Sequence, residues 1–406
     1  MSNFLQLHLL TSYPPANLNR DDLGRPKTCT IGGVERLRIS SQSLKRAWRT
    51  SSLFRDMVGD PLGIRTKRMG VLMFRALVEG RPFEEEVQIE QAGDETPPAG
   101  KLKKLKPEVA FEIAKEVAAV FGKLGGEAEN NDGEETEEDG AKPQKKTTKK
   151  VTKDKDADSP PISDRELELK QLTHFSHEEI AAVSKLLEKA RKAGEIPPET
   201  GELRNIVLQS ENSAADIAMF GRFLADKREF CVEAAVQVAH PFGVQRATIT
   251  DDFFTAVDDL NRRDASGAGH MDVSEFDSGL FYLYVCVDRD LLQGNLQGKK
   301  DLANRAQKAL AACAAQVAPI GKQASYASRA YASYILAEKG EYQPRSLSVG
   351  YLDPINGPGV LSNAVKILKE TADRMNEAYG QEWKTAELDT LTSNGSLREL
   401  EAFVAL

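Results

Sequence analysis

The segment "GLFYLYVCV", residues 279–287, is apolar at nearly every position, so both of its faces are suited to burial. A short apolar run rich in aromatic and β-branched residues predicts a strand in the middle of a sheet. Residues 4–10, "FLQLHLL", alternate and predict a second strand, with leucines on one face and His8 on the other. On a strand face His8 is expected to have a structural role rather than a catalytic one.

Helix signals surround these strands. Alanine-rich residues 303–317 predict a helix that can approach the sheet closely. Other helices are predicted over 41–55, 107–124, 176–193 and 359–379, and further strands at "AYASYILA" (330–337) and "RSLSVGYL" (345–352). Residues 385–406 have no strong pattern. The expected fold class is α/β, of the α+β kind.

Residues 126–162 have a composition unlike the rest of the chain. Residues 127–139 hold eight acids and no base, and residues 142–155 hold seven lysines and one acid. Such a stretch cannot bury enough apolar surface to offset its chain entropy. We therefore predict a disordered insertion, and we interpret it as a solvated spacer rather than a nucleic-acid contact.

Charge is unevenly distributed in this chain of 406 residues, whose formal net charge is −8. Residues 19–55 hold nine basic and three acidic residues, which indicates an anionic partner at one surface. The four cysteines form no CxxC pair and the five histidines have no zinc-ligand spacing. Neither a signal peptide nor an apolar run of membrane length is seen, so we expect a cytoplasmic protein with free thiols, without a membrane, metal or cofactor.

The segment "RLRISSQSLKRAWR", residues 36–49, holds five basic residues and no acid. A Ser/Lys nucleophile of the SxxK kind is disfavoured, because Gln42 stands three residues before Lys45. A helix entered through the serine pair 40–41 would direct free amides and its dipole at an anion, and Lys45 and Arg49 would share one face. Phosphate binding is therefore favoured, and a plain basic helix face stays open as the alternative interpretation.

Three further features allow two interpretations each. Met219, Phe253 and Phe254 are ordinary core residues by type, but at a loop tip such side chains can wedge between bases. The turn in "PIGKQASYASR", residues 319–329, is either a phosphate contact or a solvated loop.

The motifs together resemble the Cas-seven family of CRISPR effector proteins, specifically the CasC type that forms the backbone of the type I-E Cascade complex. The motifs that carry the resemblance, in family order, are "MSNF" at the start, "LNRDD" at 18–22, "GG" at 32–33, "RISSQSLKRA" at 38–47, "DIAMFGR" at 216–222, "FTAVDDL" at 254–260 and "EFDSGLFYLY" at 275–284.

The resemblance implies an RRM-like (ferredoxin-like) palm with inserted helical fingers and a thumb hairpin. The implied divisions are 1–60 for the first part of the palm, 61–205 for the fingers, 206–275 for a palm strand and the thumb, and 276–406 for the rest of the palm. The implied partners are CRISPR RNA, the target DNA strand paired to it, copies of the same chain stacked head to tail, and the large, small, five-prime-end cap and RNA-processing endonuclease subunits of Cascade.

The resemblance also implies the site residues. The implied RNA contacts are Arg20, Lys27, Arg38, Ser40, Gln42, Ser43, Lys45, Arg46, Arg49, Met219, Lys322 and Gln323, and the implied base wedge is Met219 with Phe253 and Phe254. Whether every basic residue of the opening motif faces RNA, or some bind the neighbouring subunit, stays open.

The type I backbone is not an enzyme in this family, so no catalysis is expected. The alternative is a metal-dependent ribonuclease that uses Asp21 and Asp22, as type III relatives use a loop aspartate. A two-metal site wants several converging carboxylates, and no further acid stands at motif spacing.

Overall fold

The computed structural model describes residues 3–59, 62–94, 97–98, 100–125, 163–198, 202–208, 214–224, 227–256 and 270–405. The predicted disordered insertion at 126–162 lies outside these ranges. The chain divides into a sheet unit, made of Met1–Leu62, Ala214–Gly221 and Glu233–Leu406, and a helical unit, made of Gly63–Ser213 and Arg222–Val232. In the described ranges, no helix is both long enough and apolar enough to span a bilayer.

The strands, numbered along the chain, are β1 (Phe4–Ala16), β2 (Thr28–Ile31), β3 (Val34–Leu37), β4 (Ile64–Thr66), β5 (Thr173–Phe175), β6 (Val236–Val238), β7 (Phe242–Gly243), β8 (Thr250–Ala256), β9 (His270–Asp288), β10 (Ala332–Gly340) and β11 (Lys384–Asp389). The helices are α1 (Ser41–Thr50), α2 (Ser52–Val58), α3 (Met69–Glu79), α4 (Phe83–Ala92), α5 (Pro107–Ala119), α6 (His177–Ala193), α7 (Leu203–Val207), α8 (Ala215–Phe220), α9 (Arg289–Asn295), α10 (Lys300–Gln316), α11 (Gln323–Tyr326), α12 (Val360–Tyr379) and α13 (Leu397–Val404). Short 3-10 turns lie at Asp164–Glu166, Arg228–Phe230 and Ser348–Tyr351.

An antiparallel sheet forms the centre of the sheet unit, with strand order β11-β10-β1-β9-β6. The register places Leu7 of β1 opposite Val285 of β9 on one side and Ala337 of β10 on the other. Strand β9 has β1 along one edge and β6 and β7 along the other. The prediction of a central strand at 279–287 is confirmed, and so is the strand predicted at 4–10.

One face of this sheet is covered by the alanine-rich helix α10. Leu5, Leu7 and Leu9 are buried there with the alanines of α10, whose small side chains let the helix lie close to the sheet. Each such leucine contributes about 2 kcal/mol by its burial. Leu44 and Trp48 of α1 join the same core. Helix α1 is therefore docked through its apolar side, which fixes where its polar residues lie.

The other face of the sheet carries a buried polar network. His8 Nδ1 lies 2.9 Å from the Tyr282 hydroxyl, and His8 Nε2 lies 3.2 Å from a Glu338 carboxylate oxygen. Arg345 donates to both oxygens of that carboxylate, at 2.7 and 2.9 Å. Burial lowers the pKa of His8, so the neutral ring donates from Nε2 to Glu338 and accepts from Tyr282. His8 is a sheet-face residue, as predicted.

Helix α6 organises the helical unit. Ser176 and Glu179 form the predicted capping box, in which the Glu179 amide donates to Ser176 Oγ at 3.2 Å and the Ser176 amide donates back to Glu179 Oε2 at 2.9 Å. The same carboxylate accepts from the Arg222 guanidinium, 2.7 Å from each oxygen. The arginine of "DIAMFGR" is therefore part of a buried ion pair.

Two predicted elements differ from the structure, and two observed elements were not predicted. The helix predicted at 41–55 is split, because Ser51 ends α1 and its hydroxyl caps α2 by accepting the Phe54 amide at 3.1 Å. The prediction of a strand at 345–352 is wrong, because this segment is a loop followed by a 3-10 turn. Its alternating pattern arises because Leu347 and Tyr351 are buried in the core. Strand β11 and helix α13 lie in the C-terminal stretch that showed no pattern.

Candidate nucleic-acid interface

Hydrogen bonds from backbone amides join three segments of the sheet unit at the start of α1. The Ser40 amide donates to Asn19 Oδ1, and the Lys27 amide donates to the Asn19 carbonyl, both at 2.8 Å. The Arg38 amide in turn donates to the Lys27 carbonyl at 2.8 Å. The N-terminal loop, the β2–β3 hairpin and helix α1 are therefore held in fixed relative positions, which brings predicted site residues from each of them together.

Helix α1 begins at Ser41, and Ser40 occupies the predicted cap position in an extended conformation. The Ser40 side chain makes no capping hydrogen bond, so the prediction is right about the position and wrong about the chemistry. Within the described residues, the amides of Ser41 and Gln42 make no backbone hydrogen bond. First-turn amides and the positive end of the helix dipole both favour an anion at this point.

Four cationic or titratable side chains converge beside this helix start. Arg38 NH1 lies 2.7 Å from His240 Nδ1, and Lys27 and Lys45 also act electrostatically on His240. We call Lys27, Arg38, Lys45 and His240 the basic cluster. A group of this charge is suited to a phosphate backbone.

Lys45 is the member of the basic cluster that most needs an anion. Its side chain is partly buried, burial lowers its pKa, and among the described residues no carboxylate lies within ion-pair distance of it. A desolvated ammonium without a counter-charge is unfavourable, and a bound phosphate would offset that cost.

Two predicted RNA contacts instead hold α8 in the core of the sheet unit. Arg49 NH1 lies 3.4 Å from Asp216 Oδ2, and the Asp216 carboxylate is fully buried. Met219 is fully buried in the same core, because helix α8 turns its side chain inward. The structure therefore places Met219 in a buried helix and not at a loop tip, and it pairs Arg49 with a core carboxylate.

The remaining predicted residues of the opening motif and the loop before it are accessible. Arg20, Gln42 and Arg46 are exposed, and Ser43 is partly exposed. Their role as RNA contacts stays a prediction.

The predicted wedge residues Phe253 and Phe254 lie on a two-stranded hairpin of β8 and the first half of β9. Phe253 is 63% exposed and pairs across the hairpin with Val273, which is 53% exposed. The described strands of this hairpin carry four acids within the paired segment, at 251, 252, 272 and 275, and no lysine or arginine. Acidic side chains beside exposed rings disfavour contact with a phosphate.

The loop at 319–329 contacts the N-terminal loop. At Gly321 an added Cβ would stand 2.3 Å from the Leu18 carbonyl oxygen, so only glycine permits this approach. Lys322 follows in a left-handed conformation with φ 44°, and Gln323 begins the short helix α11. The structure thus brings the predicted residues Lys322 and Gln323 next to the N-terminal loop.

Asp21 has a structural function in the N-terminal loop. Its Oδ1 accepts the amides of Leu23 and Arg25, each at 2.9 Å, while Asp22 is exposed. In the part of the chain that the structure describes, no three histidine, cysteine, aspartate or glutamate side chains are grouped so as to hold a metal ion. Asp21 therefore orders the loop that carries Lys27.

Sequence reasoning missed His240. It lies 202 residues from Arg38 in the chain, in a segment with no other charged residue between 234 and 245. No local pattern marks it, because its position depends on the pairing of two distant segments.

Fold and surface together define an α/β protein with a cationic surface at a helix N-terminus. One solved structure, titled "CRISPR RNA-guided surveillance complex, pre-nicking", contains a similar chain, with a TM-score of 0.72, 25% identity and 99% of both chains covered. A second, titled "CRISPR RNA-guided surveillance complex", matches in fold with a TM-score of 0.64, 21% identity and 99% of both chains covered. Among the curated proteins no match is found.

The model of the family described as CT1975-like protein matches residues 5–403. The chain belongs to this family. The mixed α/β class predicted from sequence is confirmed by the whole-length likeness to the first of these structures, and the antiparallel pairing of the sheet is seen in the structure.

Proposed function

We propose that this chain is a CRISPR RNA-binding backbone subunit of a type I-E Cascade surveillance complex, a Cas-seven protein of the CasC type. The observation that carries the proposal is the likeness, over 99% of both chains, to a chain of an RNA-guided surveillance complex. On this proposal the sheet unit is the RRM-like palm, the helical unit is the fingers, and the β8–β9 hairpin belongs to the thumb.

The basic cluster would grip the guide through its backbone. Lys27, Arg38 and Lys45 supply charge, and the amides of Ser41 and Gln42 supply neutral donors at the end of a helix dipole. Contacts of this kind fix position and carry no sequence information. Sequence would then be read by base pairing between the guide and the target DNA strand, while the protein holds the shape of the backbone.

The hairpin of β8 and β9 would act on bases rather than on phosphates. Its acids disfavour the backbone, and the exposed rings of Phe253 and Phe254 offer apolar surface that can enter a gap between bases. Alternating residues of one strand point to opposite faces, so only one of these two rings can enter the stack from a given side.

Copies of the chain would stack head to tail along the guide, since a heterologous contact that does not close produces a filament whose length the RNA sets. The other Cascade subunits would bind at its ends and along its side. We propose no catalysis. The two amide hydrogen bonds that the Asp21 carboxylate accepts support a structural role for it.

The proposal is tested by expressing the chain with its partner subunits, with and without a CRISPR array, and measuring bound RNA per copy. We expect a multimer with RNA of discrete length when the array is present. Lys45→Ala should lower the RNA retained at low salt and make the retention less dependent on salt, because one phosphate contact per copy is removed.

Lys366→Ala is the matched control. Lys366 lies on α12, which packs on the opposite face of the sheet from α1, and its side chain is 75% exposed. The control should retain wild-type RNA levels. A monomer without nucleic acid, even with the array and partners present, would contradict the proposal.

A further inference from the structure

His240 is fixed against Arg38 by the backbone. The Ile39 amide donates to the Pro241 carbonyl at 2.9 Å, and Arg38 forms a β-bridge with Phe242. Arg38 is thus opposite Phe242 and Ile39 opposite Pro241, so Arg38 and His240 are diagonal neighbours in this antiparallel pairing. Strand pairing therefore holds the two residues next to each other, and their side chains meet with Arg38 NH1 2.7 Å from His240 Nδ1.

The Arg38 contact also determines where the proton sits on the imidazole. A guanidinium has five donors and no acceptor, so the nitrogen that it touches must offer a lone pair. Nδ1 of His240 is thus unprotonated in the RNA-free chain, and the ring is the neutral form with its hydrogen on Nε2. The ring remains exposed, so Nε2 is accessible to a ligand.

Among the residues that the structure describes, the charged groups that act on His240 are all cations. Arg38 directly follows β3, Lys27 directly precedes β2, and Lys45 lies on α1. In the segment of His240 itself, the neighbouring residues Ala239 and Pro241 carry no charge. Burial and then these three charges lower the pKa of His240. An anion that enters the cluster cancels the repulsion that disfavours a proton on the ring, and it competes for the Arg38 guanidinium, which frees the Nδ1 lone pair for that proton.

We propose that His240 is a proton-linked contact of the RNA backbone, which takes up a proton when a phosphate enters the basic cluster and so makes RNA binding tighter as the pH falls. This inference rests on the proposed function and adds a residue and a regulation to it. Phosphodiesters do not titrate near neutrality, so the proton is taken up by the protein.

The sign follows from linkage. Binding raises the proton affinity of His240, so lower pH favours the bound state, and the gain is complete once His240 is protonated in both states. One linked proton corresponds to at most about a tenfold gain in affinity per pH unit for each copy bound.

The experiment is a titration of the full chain with a fluorescent oligouridine at constant ionic strength, between about pH 5 and 8. Uracil does not titrate in this range. Calorimetry in two buffers of different ionisation enthalpy counts the protons taken up. His240→Gln keeps a donor but cannot titrate, and His177→Gln is the control because His177 is exposed on α6 of the helical unit.

We expect wild type and His177→Gln to bind several-fold more tightly at the lowest pH of the series than at the highest. Each bound copy should take up a fraction of a proton, with one proton as the upper limit. His240→Gln should bind with little pH dependence and no uptake. RNA binding by wild type that is independent of pH, or a slope that His240→Gln preserves, would overturn the inference while the proposed function stands. Failure of wild type to bind RNA at any pH would overturn both.

Discussion

Replacing Lys45 and Arg49 separately distinguishes an RNA contact from a structural ion pair on the same helix. Lys45 is partly buried without a carboxylate within ion-pair distance among the described residues, whereas Arg49 lies 3.4 Å from the buried carboxylate of Asp216. Four residues apart, the two would be equivalent phosphate contacts by sequence alone. The structure predicts that only the first change acts on RNA.

Lys45→Ala should reduce the slope of log affinity against log salt by about 0.7, the value for one phosphate of a single strand. Over a fourfold increase in salt, wild type would then lose about threefold more affinity than the variant. Its stability should not fall, because the change removes an uncompensated cation. Arg49→Ala should leave the slope unchanged and lower the free energy of unfolding by about 3 kcal/mol, since it removes a partner of a buried charge.

The slope is measured by fluorescence anisotropy of an oligouridine over a salt series, and the stability by urea unfolding. Lys366→Ala is the control for both measurements, since it removes an exposed lysine from the other face of the sheet. The reasoning is refuted if Lys45→Ala leaves the slope at the wild-type value, or if Arg49→Ala lowers the slope and leaves stability intact.

Other changes test the fold and the hairpin. Burial raises the pKa of the Glu338 carboxyl, but its hydrogen bonds outweigh burial and hold the pKa below the ordinary carboxyl value. The ionised carboxylate therefore stabilises the fold at pH values above the ordinary carboxyl pKa. This stabilisation is lost as the pH falls through the lowered pKa of the folded state. Glu338→Gln should therefore cost about 3 kcal/mol at neutral pH and less in acid, measured by urea unfolding at both. At Gly32 an added Cβ would stand 1.8 Å from a backbone oxygen, whereas at Gly33 nothing lies within 4 Å, so Gly32→Ala should lower Tm more than Gly33→Ala; equal losses would count against the turn geometry. Phe253→Ser should reduce RNA retention at unchanged Tm, whereas Met219→Ala should cost about 3 kcal/mol of stability; the reverse pattern would return Met219 to the interface.

Local patterns were sufficient where the structure depends on neighbours in the chain. The apolar run at 279–287 predicted an interior strand, and Ser176 and Glu179 predicted a capping box, because both depend on burial or hydrogen bonding within a few residues. The edge strand β11 was missed, since a short strand paired on one side needs no strong alternation.

The candidate site was predictable only in part. The basic segment around Lys45 was visible as a concentration of charge, but its division into the basic cluster and a core ion pair was not. Asp216 lies 167 residues from Arg49, and His240 lies 202 residues from Arg38. Which cation faces solvent depends on those distant partners, and the spacing of residues within one segment cannot predict such partners.

The central claim is that copies of this chain bind along a single RNA through its backbone. The most direct measurement is the mass of the assembly, by native mass spectrometry, on guides of increasing length at fixed protein excess. We predict that the number of bound copies rises in steps with RNA length and does not depend on the sequence between the fixed ends. A single copy bound at every length, or a count that follows sequence instead of length, would contradict the claim.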